Sequence, residues 1–216
     1  MTAEDERPRE MGEVQLLARI RAGEKELFHE LIRPYERSVY LTAYAVLRNP
    51  EDAEEVAQET MLKAFAHLEQ LRSDTKFKAW LLHIAINEAR LRRRKDRKHI
   101  YESIDEDQAG REEGNFMPRQ FADWRDLPSE PLERQELKAA ITRALHSLPD
   151  IYREIFVLRD VQRLSVQETA GVLDISISAV KTRLHRARLQ MREELAPLFR
   201  RRWTDRLPFR KGRNPW

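Results

Sequence analysis

The sequence has no cysteine among its 216 residues, only six glycines and no long apolar run. The absence of cysteine excludes disulfides, thiolate zinc sites and thiol catalysis, and it fits a reducing cytoplasm. Residues 1–12 are acidic and polar, so we expect no signal peptide, and no run approaches the roughly 18 apolar residues of a membrane span. Because strand-like alternation is also scarce, we predict a cytoplasmic, all-α protein.

Sequence motifs of common enzyme classes are missing as well. The chain contains no GxxxxGK[ST] phosphate loop, no GxGxxG and no nucleophile elbow. Glu26 and His29 form a single E-x-x-H pair, whereas a di-iron bundle needs a second copy and two further inward-facing carboxylates. We therefore predict that the protein is not an enzyme and has no metal or cofactor site.

Charge is abundant and unevenly distributed. The chain contains 40 Lys and Arg and 37 Asp and Glu, which gives a net charge of +3. Residues 102–136 hold eleven acidic residues against four arginines and are interrupted by glycine and proline, which predicts a flexible acidic linker between two domains. The predicted divisions are a disordered N-terminus (1–12), a first domain (13–98), the linker (99–133), a second domain (134–196) and a disordered basic tail (197–216).

Residues 164–192 predict two short helices joined by a tight turn, the second of them strongly basic. Ser165 followed by Glu168 is a capping box for the first helix, and Ser176 can cap the second. This arrangement is typical of a helix-turn-helix. The apolar residues at helical spacing in the second helix, which we expect to be buried, are Ile177, Val180, Leu184, Ala187 and Met191.

The other face of the second helix is polar and cationic, and residues 175–192 include no acidic side chain. In a helix that lies in the major groove, short polar side chains can bond base edges while long cationic ones bind phosphates. The residues on this face are Ser178, Lys181, Thr182, Arg183, His185, Arg186 and Arg188. The pattern favours duplex DNA binding, and an ordinary helical hairpin with a solvated basic face is the alternative.

The first domain begins with residues 13–47, which predict two helices broken at Gly23. Pro34 should kink or split the second of these, because proline donates no backbone hydrogen bond. Asn49 and Pro50 predict the start of a further helix, with Asn49 as its cap. We expect that helix to bury Ala57, Met61, Ala64, Phe65 and Leu68.

Polar side chains recur at helical spacing on the opposite side of the same helix. We call this set the acidic ridge: Asp52, Glu55, Gln58 and Glu59. Lys63 is the only positive charge before the helix ends. Most charge runs of this kind are solvated faces, and the alternative is a surface that binds another protein.

A polar loop at 70–76 leads into a helix whose apolar side changes into a basic end. Phe77 and Trp80 lie on the apolar side, and residues 86–98 contain seven Lys or Arg. Aromatic rings can stack on unpaired bases while cations hold the backbone, so this helix suits single-stranded nucleic acid. A core tryptophan beside a solvated helix end is the other interpretation.

Three segments carry a family resemblance, and their order adds to its specificity. They are DAEEVAQETMLKAF at 52–65, FKAWLLHIAINEARLRRRK at 77–95 and LPDIYREIFVLRDVQRLSVQETAGVLDISISAVKTRLHRAR at 148–188. Together they resemble bacterial RNA polymerase sigma factors of the extracytoplasmic function (ECF, group 4) family. The resemblance implies two small helical domains, the second with a helix-turn-helix, and a protein that binds core RNA polymerase and directs promoter-specific initiation.

The resemblance also implies roles for particular residues. The ridge residues Asp52, Glu55, Gln58 and Glu59 would bind the clamp helices of the largest polymerase subunit. The melted −10 element would be read by Ser73, Lys76, Phe77, Trp80, His83 and Asn87, with Arg90, Arg92, Arg93 and Arg94 on its phosphates. The duplex −35 element would be read by Ser178, Lys181, Thr182, Arg183, His185, Arg186 and Arg188.

An anti-sigma factor is a further partner implied by the resemblance, which also directs the acidic linker toward the polymerase active-site and RNA-exit channels.

Two positions depart from the family pattern. Asp174 stands where relatives often have glycine, and Ser178-Ala179 stand where they often have Gly-Thr, which leaves the promoter contacts open. The competing function is a stand-alone helix-turn-helix regulator, which would have no use for the acidic ridge.

Overall fold

The computed structural model describes the backbone of residues 12–103 and 131–206 and the side chains of residues 12–95 and 135–196. The regular secondary structure within these ranges is helical, in agreement with the predicted all-α fold. The α-helices are α1 (Glu13–Arg21), α2 (Phe28–Ile32), α3 (Glu36–Leu47), α4 (Pro50–Ala66), α5 (Phe77–Ser103), α6 (Pro131–Ser147), α7 (Asp150–Phe156), α8 (Val166–Leu173) and α9 (Ile177–Arg206).

Both breaks predicted in the first 35 residues of the first domain are present. Gly23 has a φ of 116°, which suits glycine and strains other residues, and it follows the end of α1. Pro34 lies in a 3₁₀ turn between α2 and α3, because it lacks the N–H that a continuous helix would use. The bent helices enclose a core in which Leu17, Leu31 and Val39 are almost inaccessible to solvent.

Helix α4 begins where the sequence predicts. The Asn49 side chain accepts hydrogen bonds from the backbone N–H groups of Glu51 (2.8 Å) and Asp52 (3.2 Å), and Pro50 occupies the first helical position. The two carboxylates stand at the positive end of the helix dipole, where negative charge is stabilising. These four consecutive residues therefore determine where the acidic ridge starts.

The buried face of α4 differs from the expectation. Phe65 is 44% exposed, and Ala57 and Met61 are only partly buried. Thr60 enters the core instead, because its hydroxyl donates to the Val56 carbonyl at 2.7 Å and is satisfied within the helix. The buried residues of the helix are Ala53, Val56, Thr60 and Ala64, so the buried stripe is rotated relative to the predicted one.

The predicted helix-turn-helix is formed by α8 and α9. Ser165 Oγ accepts from the Glu168 N–H at 3.1 Å and Glu168 Oε2 accepts from the Ser165 N–H at 2.7 Å, which completes the capping box. Ser176 Oγ accepts from the Ala179 N–H at 3.1 Å at the start of α9. At the corner Asp174 has a φ of 54°, a left-handed conformation in which glycine is commoner.

Helix α9 packs on α6, α7 and α8 through the predicted stripe, with one exception. Val180, Leu184, Ala187 and Met191 are buried. Ile177 is 44% exposed, because it stands in the first turn of α9, at the outer end of the packed stripe. Ile151, in the first turn of α7, is 49% exposed for the same reason.

Two helices continue past the predicted domain limits. The sequence predicts a linker from residue 99 and a disordered tail from 197, but α5 extends to Ser103 and residues 197–206 are helical. Residues 99–103 contain no glycine or proline that would end α5, and Pro197 removes only one backbone donor from a long helix. The disorder and flexibility predicted for residues 1–11, 104–130 and 207–216 fall outside the described residues.

The two domains pack against each other, with α3 and α5 of the first in contact with α7 and α8 of the second. Between α7 and α8 lies a wide π turn, Val157–Val161, closed by a 2.8 Å bond from the Gln162 N–H to the Val157 carbonyl. Gln162 is 4% exposed and its side chain donates to the Ser38 carbonyl of α3 at 3.3 Å. The turn thus places a buried amide at the domain junction.

Candidate polymerase and DNA interface

The acidic ridge lies along α4, and an arginine of α5 joins two of its carboxylates. Arg92 donates to Asp52 Oδ1 at 2.8 Å, and its other terminal nitrogen lies 2.8 Å from Glu55 Oε2. Partial burial alone lowers the pKa of Arg92, but the Asp52 and Glu55 charges outweigh it and raise that pKa above its ordinary value. The Arg92 guanidinium is thus directed to the ridge in this structure, and its expected contact with a DNA phosphate stays a prediction.

Lys63 makes a second link between the ridge and α5. Its Nζ lies 2.6 Å from Glu88 Oε2 and 3.4 Å from Glu59 Oε1. The hydrogen bond to Glu88 raises the pKa of Lys63. Glu59 keeps 50% of its side-chain surface exposed and Gln58 is exposed, while Glu55 keeps 63%. The ridge therefore presents acceptors to solvent, and side chains of α5 contact it directly or through Lys63.

Two apolar side chains extend the ridge toward the end of α4. Leu62 is 66% exposed and Phe65 is 44% exposed, with the Phe65 ring edge to face against Phe28. The sequence prediction missed this patch, because apolar residues at helical spacing usually mark a core face. Exposed acceptors beside exposed apolar surface suit a protein partner better than they suit a purely solvated face.

Phe77 and Trp80, both predicted to read −10 DNA, occupy different environments. Phe77 is 0% exposed, with its ring 5.6 Å from that of Tyr35 and 5.9 Å from that of Trp80. Burial raises the pKa of Tyr35, as does the hydrogen bond from its hydroxyl to Glu13. Phe77 is therefore a core residue that supports Trp80, and it cannot present its ring to a base; Trp80 is half-buried and can.

The loop before α5 is held by the end of α1. Arg21 lies 2.7 Å from Asp74 Oδ1 and donates to the Leu71 carbonyl at 3.1 Å. These contacts keep the Ser73 hydroxyl, itself half-buried and 3.1 Å from the Thr75 hydroxyl, at the surface of the first domain. Of the other residues predicted to read −10 DNA, Lys76 and Asn87 are exposed and His83 is half-buried.

The basic end of α5 faces the second domain. Arg90 donates to Glu154 Oε2 at 2.6 Å, and Arg93 donates to Asp150 Oδ2 at 2.5 Å. Arg94 is exposed. Two of the cations predicted to hold DNA phosphates are thus paired with carboxylates of the second domain, and one is open to solvent.

The outer face of α9 is arranged as predicted for a groove-reading helix. Ser178, Lys181, Thr182, His185 and Arg186 are exposed, and Arg183 is half-buried. Arg188 makes two bonds to the Asp160 carboxylate at 2.8 and 2.5 Å, and the Asp160 hydrogen bond raises the pKa of Arg188. Arg188 therefore also ties α9 to the turn after α7, which its sequence position alone does not reveal.

Metal-binding clusters and membrane-spanning helices are absent from the described ranges. Among residues 12–103 and 131–206 no cluster of histidine and acidic side chains is arranged to bind a metal ion. No helix within those same ranges is long and apolar enough to cross a membrane.

Comparison with known proteins identifies both domains. The family model for sigma-70 region 2 matches residues 31–99, and that for sigma-70 region 4 matches residues 138–191. The ECF RNA polymerase sigma factor SigW of Bacillus subtilis is 32% identical over 182 residues, 84% of this chain and 96% of that protein. The RNA polymerase sigma-H factor of Pseudomonas aeruginosa is 28% identical over 187 residues, 86% of this chain and 95% of that protein.

Solved structures have the same fold. The sigma factor RpoE of Bartonella quintana, crystallised with the anti-sigma factor NepR, aligns with a TM-score of 0.62 at 23% identity, over 78% of this chain and 96% of that one. CnrH, in complex with the cytosolic domain of CnrY, aligns with a TM-score of 0.56 at 23% identity, over 86% and 97%. Because a 32% identical relative is matched along nearly its whole length and both domain models occur in order, the chain belongs to the ECF family of sigma factors, which direct promoter-specific transcription by RNA polymerase.

Proposed function

We propose that the acidic ridge binds core RNA polymerase, that α5 reads the melted −10 element and that α9 reads the −35 duplex. The observation that carries the proposal is the outer face of α9, which presents exposed polar and cationic side chains on a capped helix-turn-helix. A helix mounted in this way can enter a major groove with its N-terminal half toward the bases. The −35 contacts are assigned to Ser178, Lys181, Thr182, Arg183, His185, Arg186 and Arg188.

The polymerase contacts are assigned to the exposed part of the ridge. Glu55, Gln58 and Glu59 present acceptors to solvent, and Asp52 is held by Arg92 at the start of the same face. Exposed Leu62 and Phe65 add apolar area beside them. Acceptors that are positioned before binding lose little side-chain freedom when a basic partner surface arrives.

The −10 contacts are assigned to one side of α5 and the loop before it. Trp80 can stack on an unpaired base, with Phe77 and Tyr35 as its support. Ser73, Lys76, His83 and Asn87 lie around it, and Arg90, Arg93 and Arg94 supply charges for the backbone. These residues recognise single-stranded DNA by stacking and charge, so the chain itself needs no catalytic chemistry.

The remaining assignments are those of the family. The acidic linker, now limited to residues 104–130 between α5 and α6, is assigned to the active-site and RNA-exit channels of the polymerase, and the basic residues at 197–216 strengthen nonspecific binding to phosphates. The protein acts in the cytoplasm, where it meets core polymerase. An anti-sigma factor is its natural inhibitor, which is supported by the RpoE structure, crystallised with an anti-sigma factor.

The proposal is tested by adding the purified protein to core RNA polymerase with a library of promoter fragments from the source genome. We expect a stable complex and transcripts that start at promoters with defined −35 and −10 elements. Core polymerase alone and core polymerase with a Glu55→Lys/Glu59→Lys variant serve as controls. Sequence-specific DNA binding with no polymerase complex and no transcript would instead support the stand-alone regulator.

A further inference from the structure

Groups of the second domain cover three cationic side chains on α5. Glu154, which is 4% exposed, accepts from Arg90 at 2.6 Å. Asp150 accepts from Arg93 at 2.5 Å. The Gln162 carbonyl accepts from Lys78 Nζ at 2.6 Å, and burial lowers the pKa of Lys78. The pairing is chemically specific, because carboxylates and a carbonyl meet the cations that a nucleic-acid backbone would otherwise meet.

A buried arginine connects the same faces from the opposite direction. Arg153 of α7 is 2% exposed, its Nε donates to the Ala45 carbonyl of α3 at 2.6 Å, and it also pairs with Asp150. Beside it the Tyr44 hydroxyl lies 3.1 Å from His146 Nε2. An arginine is rarely this buried in a small domain unless a partner surface covers it. The first domain is that surface.

We propose that in the free protein the second domain docks on the DNA-reading face of α5, so that this face holds either the second domain or −10 DNA. The inference rests on the proposed function, from which it takes the role of α5. Glu154 and Asp150 occupy the positions of two phosphates, and DNA must displace them to reach Arg90 and Arg93. The chain therefore masks one of its own promoter-binding surfaces without an additional protein.

Promoter geometry requires the two domains to separate. Two elements about 25 base pairs apart lie roughly 85 Å apart along duplex DNA. In the docked arrangement α9 packs on α8, and α8 packs on α5, which places the two readers within roughly 20 Å of each other. Residues 104–130 can span at most roughly 90 Å when fully extended, so the chain is long enough to allow the change.

The buried charge of Arg153 limits the stability of the docked state. Burial lowers the pKa of Arg153 to about 10, so desolvation works against its charge. Its Nη1 has no hydrogen-bond partner among the described residues. Buried ion pairs with incomplete partners contribute little net stability, because desolvation offsets the attraction between the charges. A competing polyanion needs only a modest free-energy advantage to displace the second domain.

Distance between the domains can be measured directly. The chain lacks cysteine, so Glu69→Cys and Arg143→Cys, both at exposed positions, give two unique sites for fluorescent dyes. We expect high energy transfer in the free protein and a fall when a mixed-sequence single-stranded DNA of about 20 nucleotides is added, a length that covers several binding sites. A rise in salt alone should also lower the transfer, since it screens the exposed parts of the ion pairs.

The matched variants neutralise two charges each. Asp150→Asn/Glu154→Gln removes the carboxylates that face Arg93 and Arg90, whereas Glu193→Gln/Glu194→Gln removes two exposed carboxylates of α9. If about 90% of the free protein is docked, the first variant should bind the DNA roughly ten-fold more tightly, because apparent affinity is reduced by the competent fraction. The control should keep parental energy transfer and affinity within about two-fold, the scale of a small surface-charge effect.

Three results would overturn the inference. They are low energy transfer in the free labelled protein, DNA binding that leaves the transfer unchanged, and an opened variant with no gain in DNA affinity. The first two readings use the labelled protein without further substitution, so they do not depend on the stability of the Asp150→Asn/Glu154→Gln variant. Promoter-dependent transcription with core polymerase judges the proposed function separately, and either idea can fail while the other stands.

Discussion

Arg92 of α5 donates to Asp52 of α4 at 2.8 Å, and this bond joins the helix assigned to −10 DNA to the ridge assigned to the polymerase. The same guanidinium reaches Glu55. The two candidate surfaces of the first domain are therefore parts of one rigid unit, with a charged contact between them. If the proposed assignments hold, a polymerase bound to the ridge would fix the orientation of α5 without contacting it.

Alanine variants of Arg92 and Arg94 should differ in how strongly their DNA affinity depends on salt. Arg94→Ala is expected to reduce the slope of log affinity against log salt by about 0.7 for single-stranded DNA, the value of one phosphate contact. Arg92→Ala should leave that slope unchanged, because its side chain is directed to the ridge. Equal slope changes in both variants would show that Arg92 is released to the DNA on binding.

Phe77→Ala should mainly reduce stability, whereas Trp80→Ala should mainly weaken binding to unpaired DNA. Phe77 is fully buried, so its removal should lower the free energy of unfolding by about 3 to 5 kcal/mol. Trp80 is half-buried, and its removal should cost less stability but about 1 to 3 kcal/mol of binding to unpaired DNA. Urea denaturation and fluorescence anisotropy measure the two quantities. A stability loss for Trp80→Ala as large as that for Phe77→Ala would make it a core residue as well.

Charge reversal on the ridge should abolish the polymerase complex. Glu55→Lys/Glu59→Lys replaces two exposed acceptors and should prevent co-elution with core polymerase. The control is Glu54→Lys/Glu69→Lys, which reverses two exposed charges outside the ridge and should bind normally. Both variants should bind duplex −35 DNA equally, because neither pair of substitutions lies on α9. Normal polymerase binding by the ridge variant would refute the assignment.

Arg183 tests the −35 assignment. Arg183→Ala should weaken binding to the preferred −35 duplex by about 1 to 3 kcal/mol and relax the preference at one base pair, as loss of a bidentate guanine contact does. The measurement is a competition assay against duplexes with each single base-pair change. Lys181→Ala is the comparison. An equal loss on every sequence would make Arg183 a phosphate contact instead.

The capping box of α8 should make stability depend on pH. The hydrogen bond to Ser165 lowers the pKa of Glu168 below its ordinary value of 4.5, although partial burial opposes this. A carboxyl whose folded pKa is lowered stabilises the fold above its ordinary pKa, and this contribution disappears as the pH falls through the lowered value. Urea denaturation between about pH 6 and pH 3 should therefore show a smaller pH dependence for Glu168→Gln than for the parent.

The Ser165→Ala variant completes that test. Loss of the cap should lower the free energy of unfolding by about 1 kcal/mol at neutral pH. It should also bring the pKa of Glu168 closer to its ordinary value, because hydrogen bonding with the Ser165 side chain is the largest cause of the shift, while the bond from the Ser165 backbone N–H remains in the variant. An unchanged pH dependence in both variants would mean that other carboxylates dominate the acid unfolding of this domain.

Local sequence rules were sufficient wherever the structure is determined by neighbouring residues. The Asn49 cap, the split at Pro34 and the Ser165 to Glu168 capping box each depend on groups a few residues apart, and each was predicted. The helix-turn-helix corner at Asp174 also falls where expected, with the left-handed backbone that glycine more often adopts. These features need no knowledge of the rest of the fold.

Features that depend on distant parts of the chain were not predictable in the same way. Arg153 and Glu154 are buried only because the first domain covers them, and no spacing within α7 indicates this. Thr60 is buried by the rest of the first domain, although threonine is more often exposed than buried. Phe77 and Trp80 share an apolar face in the sequence, and their spacing does not indicate the packing of the Tyr35 ring against Phe77.

The π turn at Val157–Val161 has a consequence for the length of the chain. It holds one residue more than an α-helical turn, and each added or removed residue rotates the next part of the chain by about 100°. Deletion of one residue there would carry Gln162 away from Ser38 and Lys78 and would turn the whole helix-turn-helix to another side. The register of this turn therefore helps to determine which faces of the two domains meet.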